Sequence, residues 1–451
     1  MAGAGLCRHE ALGAGGMGMS ERTAWLIRGA RIHQGTTWAD DAVLAAVGGQ
    51  IAYLGDLRKL PRRLEAAGVE VGRQSLEEIH SEDGYLCPGF IDVHLHGGGG
   101  ADVMDASPGA LNQLARTHAK HGTVGFLPTT VTAPYEALHQ VLEAVEETVS
   151  GQPEGAEILG VHLEGPHLNP ARAGAQNPEY LTPPSLPEMQ RLMERFPGRI
   201  RWVTVAPELE GAQPLIEFLH SQGVVVSVGH SDATYEQTVE AFQWGVRHAT
   251  HTFNGMNPLH HRAPGVPGAV LTTRHVSAEL IADGFHIHPG VARLLWQVKG
   301  PDRLLLVTDA MRATDLPDGR YDLGGLEVDV QGGAARLAGK GTLAGSTLTL
   351  ERAVAWMADV VGVPLAEAVR LASLNPARKL GVSERLGSLE VGKDASLVLL
   401  DASFRVRLTL RRGELIYDGQ GDEFDQPEEG AAPGGLAGEP SPEMDDHEEA
   451  F

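Results

Sequence analysis

Eight apolar runs alternate with helix-like segments through the middle of this chain, and six of the eight lead into a histidine or a carboxylate. Pro88 to Val93 leads to His94-Leu95-His96, and Ile158 to Leu163 ends on Glu164. Val224 to Val228 leads to His230, and the short segment from His248 ends at His251. Ala278 to Asp283 leads to His286, and Leu304 to Val307 to Thr308-Asp309. Val124 to Pro128 and Ile200 to Val205 complete the set. Between them, Ala110 to His121, Pro134 to Val149, Thr234 to Trp244 and Pro289 to Val298 carry apolar residues at spacings of three and four. Strands alternating with helices pair in parallel, and eight such units over roughly 300 residues predict a closed (β/α)8 TIM-type barrel, an α/β fold. In that fold the C-terminal strand ends converge on one mouth, where active sites lie.

Local geometry sharpens the first of these ends. Side chains two apart on a strand share a face, so His94 and His96 point the same way with Leu95 opposite. The glycine run from Gly97 to Gly100 lets the chain turn closely past them. Alone, the pair fits a metal site and a pair of core histidines equally well. Recurrence of polar groups at the other strand ends favours a shared metal-dependent site.

Charge and the chain ends bound the rest. The formal charge of −23 argues against nucleic acid and anionic membranes as partners. Much of it is local: from Asp422 onward there are eleven acidic residues and no Lys or Arg. That composition predicts a disordered acidic tail over 421–451, and the Gly/Ala-rich segment 1–21 a disordered arm. Arg8, His9 and Glu10 interrupt the only candidate apolar stretch near the start, so no signal peptide is expected. No run approaches the roughly 20 apolar residues of a membrane span. Cys7 and Cys87 are the only cysteines, and a disulfide framework is not expected. A cytoplasmic protein is the expected setting.

Short alternating strands precede the barrel at Trp25 to Ile32, Ala42 to Val47 and Gln50 to Gly55, and follow it at Ala395 to Asp401, Arg405 to Leu410 and Glu414 to Tyr417. They predict one small β-sandwich built from both chain ends, over 22–86 and 386–420, around a barrel spanning 87–385. Arg320 to Leu337 reads as a pair of β-hairpins above the mouth.

These segments together resemble the amidohydrolase superfamily and, within it, the N-acetylglucosamine-6-phosphate deacetylases. The resemblance rests on Pro88-Gly89-Phe90-Ile91-Asp92-Val93-His94-Leu95-His96-Gly97, His162-Leu163-Glu164-Gly165-Pro166, Gly229-His230-Ser231, Thr250-His251-Thr252-Phe253-Asn254-Gly255-Met256, Ala282-Asp283-Gly284-Phe285-His286, Val307-Thr308-Asp309-Ala310 and Leu343-Ala344-Gly345-Ser346. It extends from about Trp25 to Tyr417. Leu-Glu-Gly-Pro with Thr-His-x-x-Asn-x-Met is its most specific part, because many relatives use a carboxylated lysine where this chain has Glu164.

The resemblance implies metal-dependent deacetylation of N-acetyl-D-glucosamine 6-phosphate to glucosamine 6-phosphate and acetate. Glu164, His230 and His251 would hold one divalent ion, and His94, His96 and Asp309 a second, with Glu164 bridging. Zn²⁺ suits these ligands best, and Fe²⁺, Co²⁺ and Mn²⁺ fit them too. Coordination lowers the pKa of water from 15.7 to about 7, and the resulting hydroxide would attack the acetamide carbonyl. Asp309 would act as general base and then general acid. Ala175, Asn254, Gly255, His286, Leu343, Ala344 and Gly345 would contact the sugar phosphate. Arg262 would meet the phosphate, reaching it from the neighbouring subunit of a homodimer. Some relatives carry histidine where this chain has Gln176, which leaves open what polarises the amide carbonyl. An amidohydrolase for cyclic amides or isoaspartyl peptides would share the metals without needing a phosphate site. A non-catalytic scaffold would lack ligands, whereas all six positions here carry competent side chains.

Overall fold

A computed structural model describes residues 7–8, 24–60, 76–151 and 154–419. Eight parallel strands follow the expected order: β1 (Phe90–Leu95), β2 (Thr123–Thr130), β3 (Val161–Glu164), β4 (Ile200–Val205), β5 (Val225–Val228), β6 (His248–Ala249), β7 (Ser277–Ile281) and β8 (Leu304–Val307). Each pairs in parallel with the next. The ring closes where Leu95 bridges Ala310 and the Asp309 N–H donates to the His94 carbonyl at 2.9 Å. Helices cover the outside and side chains fill the inside, which is why β1 and β8 are buried along their whole length and read as near-continuous apolar runs.

Helix starts follow capping chemistry. Ser107 accepts from the Ala110 N–H and Pro108 occupies the first turn, so α1 (Pro108–Lys120) begins two residues before the apolar spacing predicts. Thr234 and Gln237 form a capping box for α2 (Tyr235–Trp244), the helix after β5.

Inside the ring the sequence pattern hides a polar layer. His162 Nε2 lies 2.8 Å from Thr204 Oγ1, which lies 2.8 Å from Thr250 Oγ1. Ser227 Oγ meets Thr250 Oγ1 at 2.5 Å, and His248 Nδ1 meets Ser277 Oγ at 2.6 Å. These buried groups satisfy one another, as burial requires.

Two further sheets pack face to face. One holds Ala24–Arg28, Ala42–Val47, Gln50–Asp56 and Leu76–His80, with Cys7–Arg8 on its edge; the other holds Arg31–His33, Trp38–Ala39, Tyr85–Pro88, Leu397–Leu400, Val406–Arg411 and Glu414–Asp418. Trp25, Ile27, Leu44 and Ile79 from the first share a core with Leu86, Leu397, Leu399 and Leu408 from the second. Tyr85–Pro88 was hidden because it runs straight into β1. At the junction, a Cβ on Gly89 would stand 2.2 Å from Val124 Cγ1, so only glycine lets the chain pass β2 as it changes sheets.

The segment after β8 forms a three-stranded antiparallel sheet, Gly319–Leu323, Leu326–Gln331 and Ala334–Leu337, with its own apolar core around Val328 and Val330. Cys87 is a free, buried thiol. No helix among the described residues is long and apolar enough to cross a membrane. The acidic tail and, apart from Cys7–Arg8, the N-terminal arm lie outside the described residues.

Candidate active site

The strand ends converge as the barrel requires. His94, His96 and Asp309 form one buried set of potential ligand atoms, and Glu164, His230 and His251 a second; within each set these atoms lie within 4.8 Å of one another. Glu164 stands between them: Oε1 is 3.0 Å from His251 Nε2 and 3.3 Å from His230 Nε2, and Oε2 is 3.4 Å from His96 Nε2. Asp309 Oδ1 lies 3.0 Å from His96 Nε2 and 3.4 Å from His94 Nε2.

Three of these six residues sit just past a strand end in left-handed backbone, with φ of 46° at His230, 25° at His251 and 51° at Asp309. That conformation costs a non-glycine residue about 1–2 kcal/mol. It turns the side chain back across the mouth, and strain of this kind gathers at functional sites.

Ring orientation is set from outside. His96 Nδ1–H donates to the Thr129 carbonyl at 3.0 Å, and His230 Nδ1–H to the Arg172 carbonyl at 2.8 Å. His94 Nδ1–H donates to Glu279 Oε2 at 3.0 Å. In each case the outer nitrogen carries a proton and Nε2 is the atom that faces inward. Among the described residues His251 Nδ1 has no hydrogen-bond partner.

Electrostatics bind the two sets together. Burial alone would lower the His96 pKa, but the Asp309 and Glu164 carboxylates outweigh it and push the ring to about 10. His94 is raised by Glu164, Asp309 and Glu279 against the same burial. Burial would raise the Asp309 carboxyl, yet His94 and His96 hold it below the ordinary value, so it is ionised at neutral pH.

A cavity of about 390 Å³ opens onto both sets. Ala175, Asn254, Gly255, His286, Leu343 and Gly345, which the resemblance assigns to the sugar phosphate, line it. Ala344 is buried beneath it rather than on its wall. Arg262 lies outside the cavity of its own chain, on an exposed loop with its guanidinium 2.9 Å from His261 Nε2. Arg336, from the three-stranded insertion, does line the cavity, and it pairs with no carboxylate among the described residues. His286 lies close enough for Arg336 to oppose the rise that Asp283 imposes on its pKa against burial.

Gln176 takes a defined role. Its Oε1 accepts the Thr132 N–H at 2.7 Å, which forces its Nε2 to donate to Glu164 Oε2 at 2.8 Å. Glu208 is another residue the sequence did not single out. It accepts Asn169 Nδ2, Ser231 Oγ and the Asp232 N–H, each at 2.7 Å, and so ties the loop after β3 to the loop carrying His230. No motif marks Glu208 or Arg336: Glu208 acts through loops up to 39 residues away in sequence, and Arg336 reaches the cavity from an insertion.

Comparison with known proteins agrees with this geometry. The family model described as "Amidohydrolase family" matches residues 85–418. The chain belongs to the amidohydrolase family. The N-acetylgalactosamine-6-phosphate deacetylase of Escherichia coli O157:H7 is 42% identical over 390 residues, covering 86% of this chain and 98% of that one. The N-acetylglucosamine-6-phosphate deacetylase of Vibrio furnissii is 38% identical over 399 residues, covering 88% and 96%. A variant of the Mycobacterium smegmatis N-acetyl-D-glucosamine-6-phosphate deacetylase, solved with N-acetyl-D-glucosamine-6-phosphate, superposes with a TM-score of 0.79 at 35% identity, covering 87% and 99%. For an amidohydrolase, two buried His/carboxylate sets with inward Nε2 atoms suit a divalent metal, since these ligands bind such ions and each set leaves room for water.

Proposed function

We propose that this amidohydrolase removes the acetyl group from an N-acetylhexosamine 6-phosphate, with N-acetyl-D-glucosamine 6-phosphate as the first choice, to give the free amino sugar phosphate and acetate. One observation carries the reading: the cavity that Glu164, His230, His251, His96 and Asp309 reach into is also lined by His286 and by Arg336, whose guanidinium donates to the Gly341 carbonyl and meets no carboxylate among the described residues. A site that cleaves an amide and also receives an anion needs both features. A cyclic amide would need only the first.

Glu164, His230 and His251 would hold one ion, and His94, His96 and Asp309 a second, with one Glu164 oxygen turned toward each set. Zn²⁺ is the favoured ion, and Fe²⁺, Co²⁺ and Mn²⁺ suit the same donors. A bound divalent cation supplies Lewis acidity to water and to the acetamide carbonyl.

Asp309 is ionised and stands at the mouth, so it can accept the proton of the attacking water. As the C–N bond breaks, Asp309 returns that proton to the nitrogen, and the amine leaves neutral. Gln176 holds Glu164 in place through one Nε2–H, which leaves its second Nε2–H as a donor at the cavity wall. His286, Arg336 and the backbone around Asn254 and Gly255 would hold the sugar phosphate, with Ala175, Leu343 and Gly345 shaping the pocket. Arg262 would serve the cavity of a second subunit in a homodimer. The low cysteine count and a phosphorylated substrate support a cytoplasmic setting.

Acetate release on N-acetylglucosamine 6-phosphate, N-acetylgalactosamine 6-phosphate and unphosphorylated N-acetylglucosamine tests this. The phosphorylated sugars are expected to exceed the unphosphorylated one by about 100-fold or more in kcat/KM, in keeping with charge-assisted bonds to phosphate. Equal values would refute the phosphate-reading pocket. The Escherichia coli relative makes the galacto epimer the second reading, and the ratio between the two 6-phosphates decides it.

A further inference from the structure

Glu279 stands in the middle of β7 with its side chain inside the barrel and no solvent exposure. Burying a carboxylate costs several kcal/mol unless its charge is compensated. Yet no Lys or Arg is bonded to it among the described residues. Its partners belong instead to the two candidate metal sets. Oε2 accepts His94 Nδ1–H at 3.0 Å and the His251 backbone N–H at 3.0 Å. His248 Nε2 lies 3.2 Å from Oε1 but out of line for a hydrogen bond.

We propose that Glu279 is a positioning residue that acts through His94 to make the His94–His96–Asp309 set competent for an ion; this rests on the two-ion reading above. An ionised carboxylate only accepts, so its contact with Nδ1 fixes a proton there and makes Nε2 the nitrogen that would give up its proton to an ion. Nε2 is the atom that faces His96, Glu164 and Asp309, at 3.3, 3.5 and 3.4 Å. Without Glu279 the ring has no fixed tautomer and no fixed rotation about χ2.

The test uses the full chain loaded with Zn²⁺, dialysed against graded chelator and read by elemental analysis. Wild type is expected to retain two ions per chain, whereas E279Q and H94A each retain one. Loss of an outer-sphere carboxylate partner is expected to weaken the second ion by about 10–100-fold. Because Glu279 acts through His94, E279Q/H94A should bind no more weakly than H94A alone. Two ions in E279Q with unchanged affinity, an equal loss of both ions, or an additive double variant would each overturn the proposal. Wild type with a single ion would overturn the two-ion reading itself, and this proposal with it. Should E279Q fail to fold, ¹⁵N NMR of ion-loaded wild type still decides: His94 protonated at Nδ1 supports the assignment, and protonation at Nε2 overturns it.

Discussion

Gly255 offers a direct way to move one ligand without removing any. It follows Asn254 in left-handed backbone, with φ at 61°, and a Cβ built there would lie 2.8 Å from His230 Nδ1 and 3.1 Å from Cε1. Ordinary contact begins near 3.4 Å, so the ring in G255A must yield by about half an ångström. Its freedom to do so is small, because the same Nδ1 donates to the Arg172 carbonyl at 2.8 Å while the Gly255 carbonyl accepts the Ser231 N–H at 3.0 Å. Placing alanine at positive φ costs about 1–2 kcal/mol. Straining the Arg172 bond adds about 1 kcal/mol. Together these predict a Tm lower by about 2–4 °C, since the unfolding entropy of a chain this long gives roughly 1 °C per kcal/mol. Since about 1 Å of misplacement can cost 10²-fold, kcat/KM is expected to fall by about 10-fold or more, mainly through kcat. Differential scanning calorimetry, elemental analysis and acetate release on N-acetylglucosamine 6-phosphate measure the three quantities. A G255A protein within twofold of wild-type kcat/KM would refute both the steric reasoning and the role given to His230.

Three other perturbations separate the remaining roles. D309N is expected to lose about 10²–10⁴-fold in kcat while the ion at Glu164, His230 and His251 stays bound; near-normal turnover would remove Asp309 from the proton path. R336A is expected to raise KM for the phosphorylated sugar and leave the unphosphorylated one unchanged, and a mixed dimer of R262A with D309N should regain activity at low substrate if Arg262 serves the neighbouring site. His118 donates to the Gly97 carbonyl at 3.0 Å inside α1's packed face, and burial lowers its pKa from 6.5 to about 4. The unfolded chain therefore takes up this proton first. The stability it contributes is full above pH 6.5 and is lost as pH falls toward 4, by about 3 kcal/mol. Urea unfolding at pH 7 and pH 4.5 should show that loss in wild type and not in H118N; equal losses would count against a neutral buried His118.

Much of this was legible before any coordinates. The eight-strand order, the insertion after Asp309 and the six residues of the two donor sets follow from period and flanking residues, since strand length, apolar continuity and the residue at each strand end are local properties. Eleven of the fourteen residues named for site roles line the cavity wall, and the three that do not are His94 and Ala344, buried behind it, and Arg262, on the exposed loop.

What the sequence by itself determined is the kind of site: which strand ends carry imidazole or carboxylate, and therefore that a metal-dependent hydrolase barrel is encoded. Tertiary structure alone decided how those groups are held. The Glu279 contact with His94 spans 185 residues, the Gln176 clamp on Glu164 depends on the Thr132 N–H, 44 residues away, and Arg336 enters the cavity from an insertion. None of these has a local signature, because a hydrogen bond inside a closed barrel depends on which strands the ring brings side by side. Ligand identity is written along the chain, whereas ligand orientation, tautomer and charge balance arise only across it.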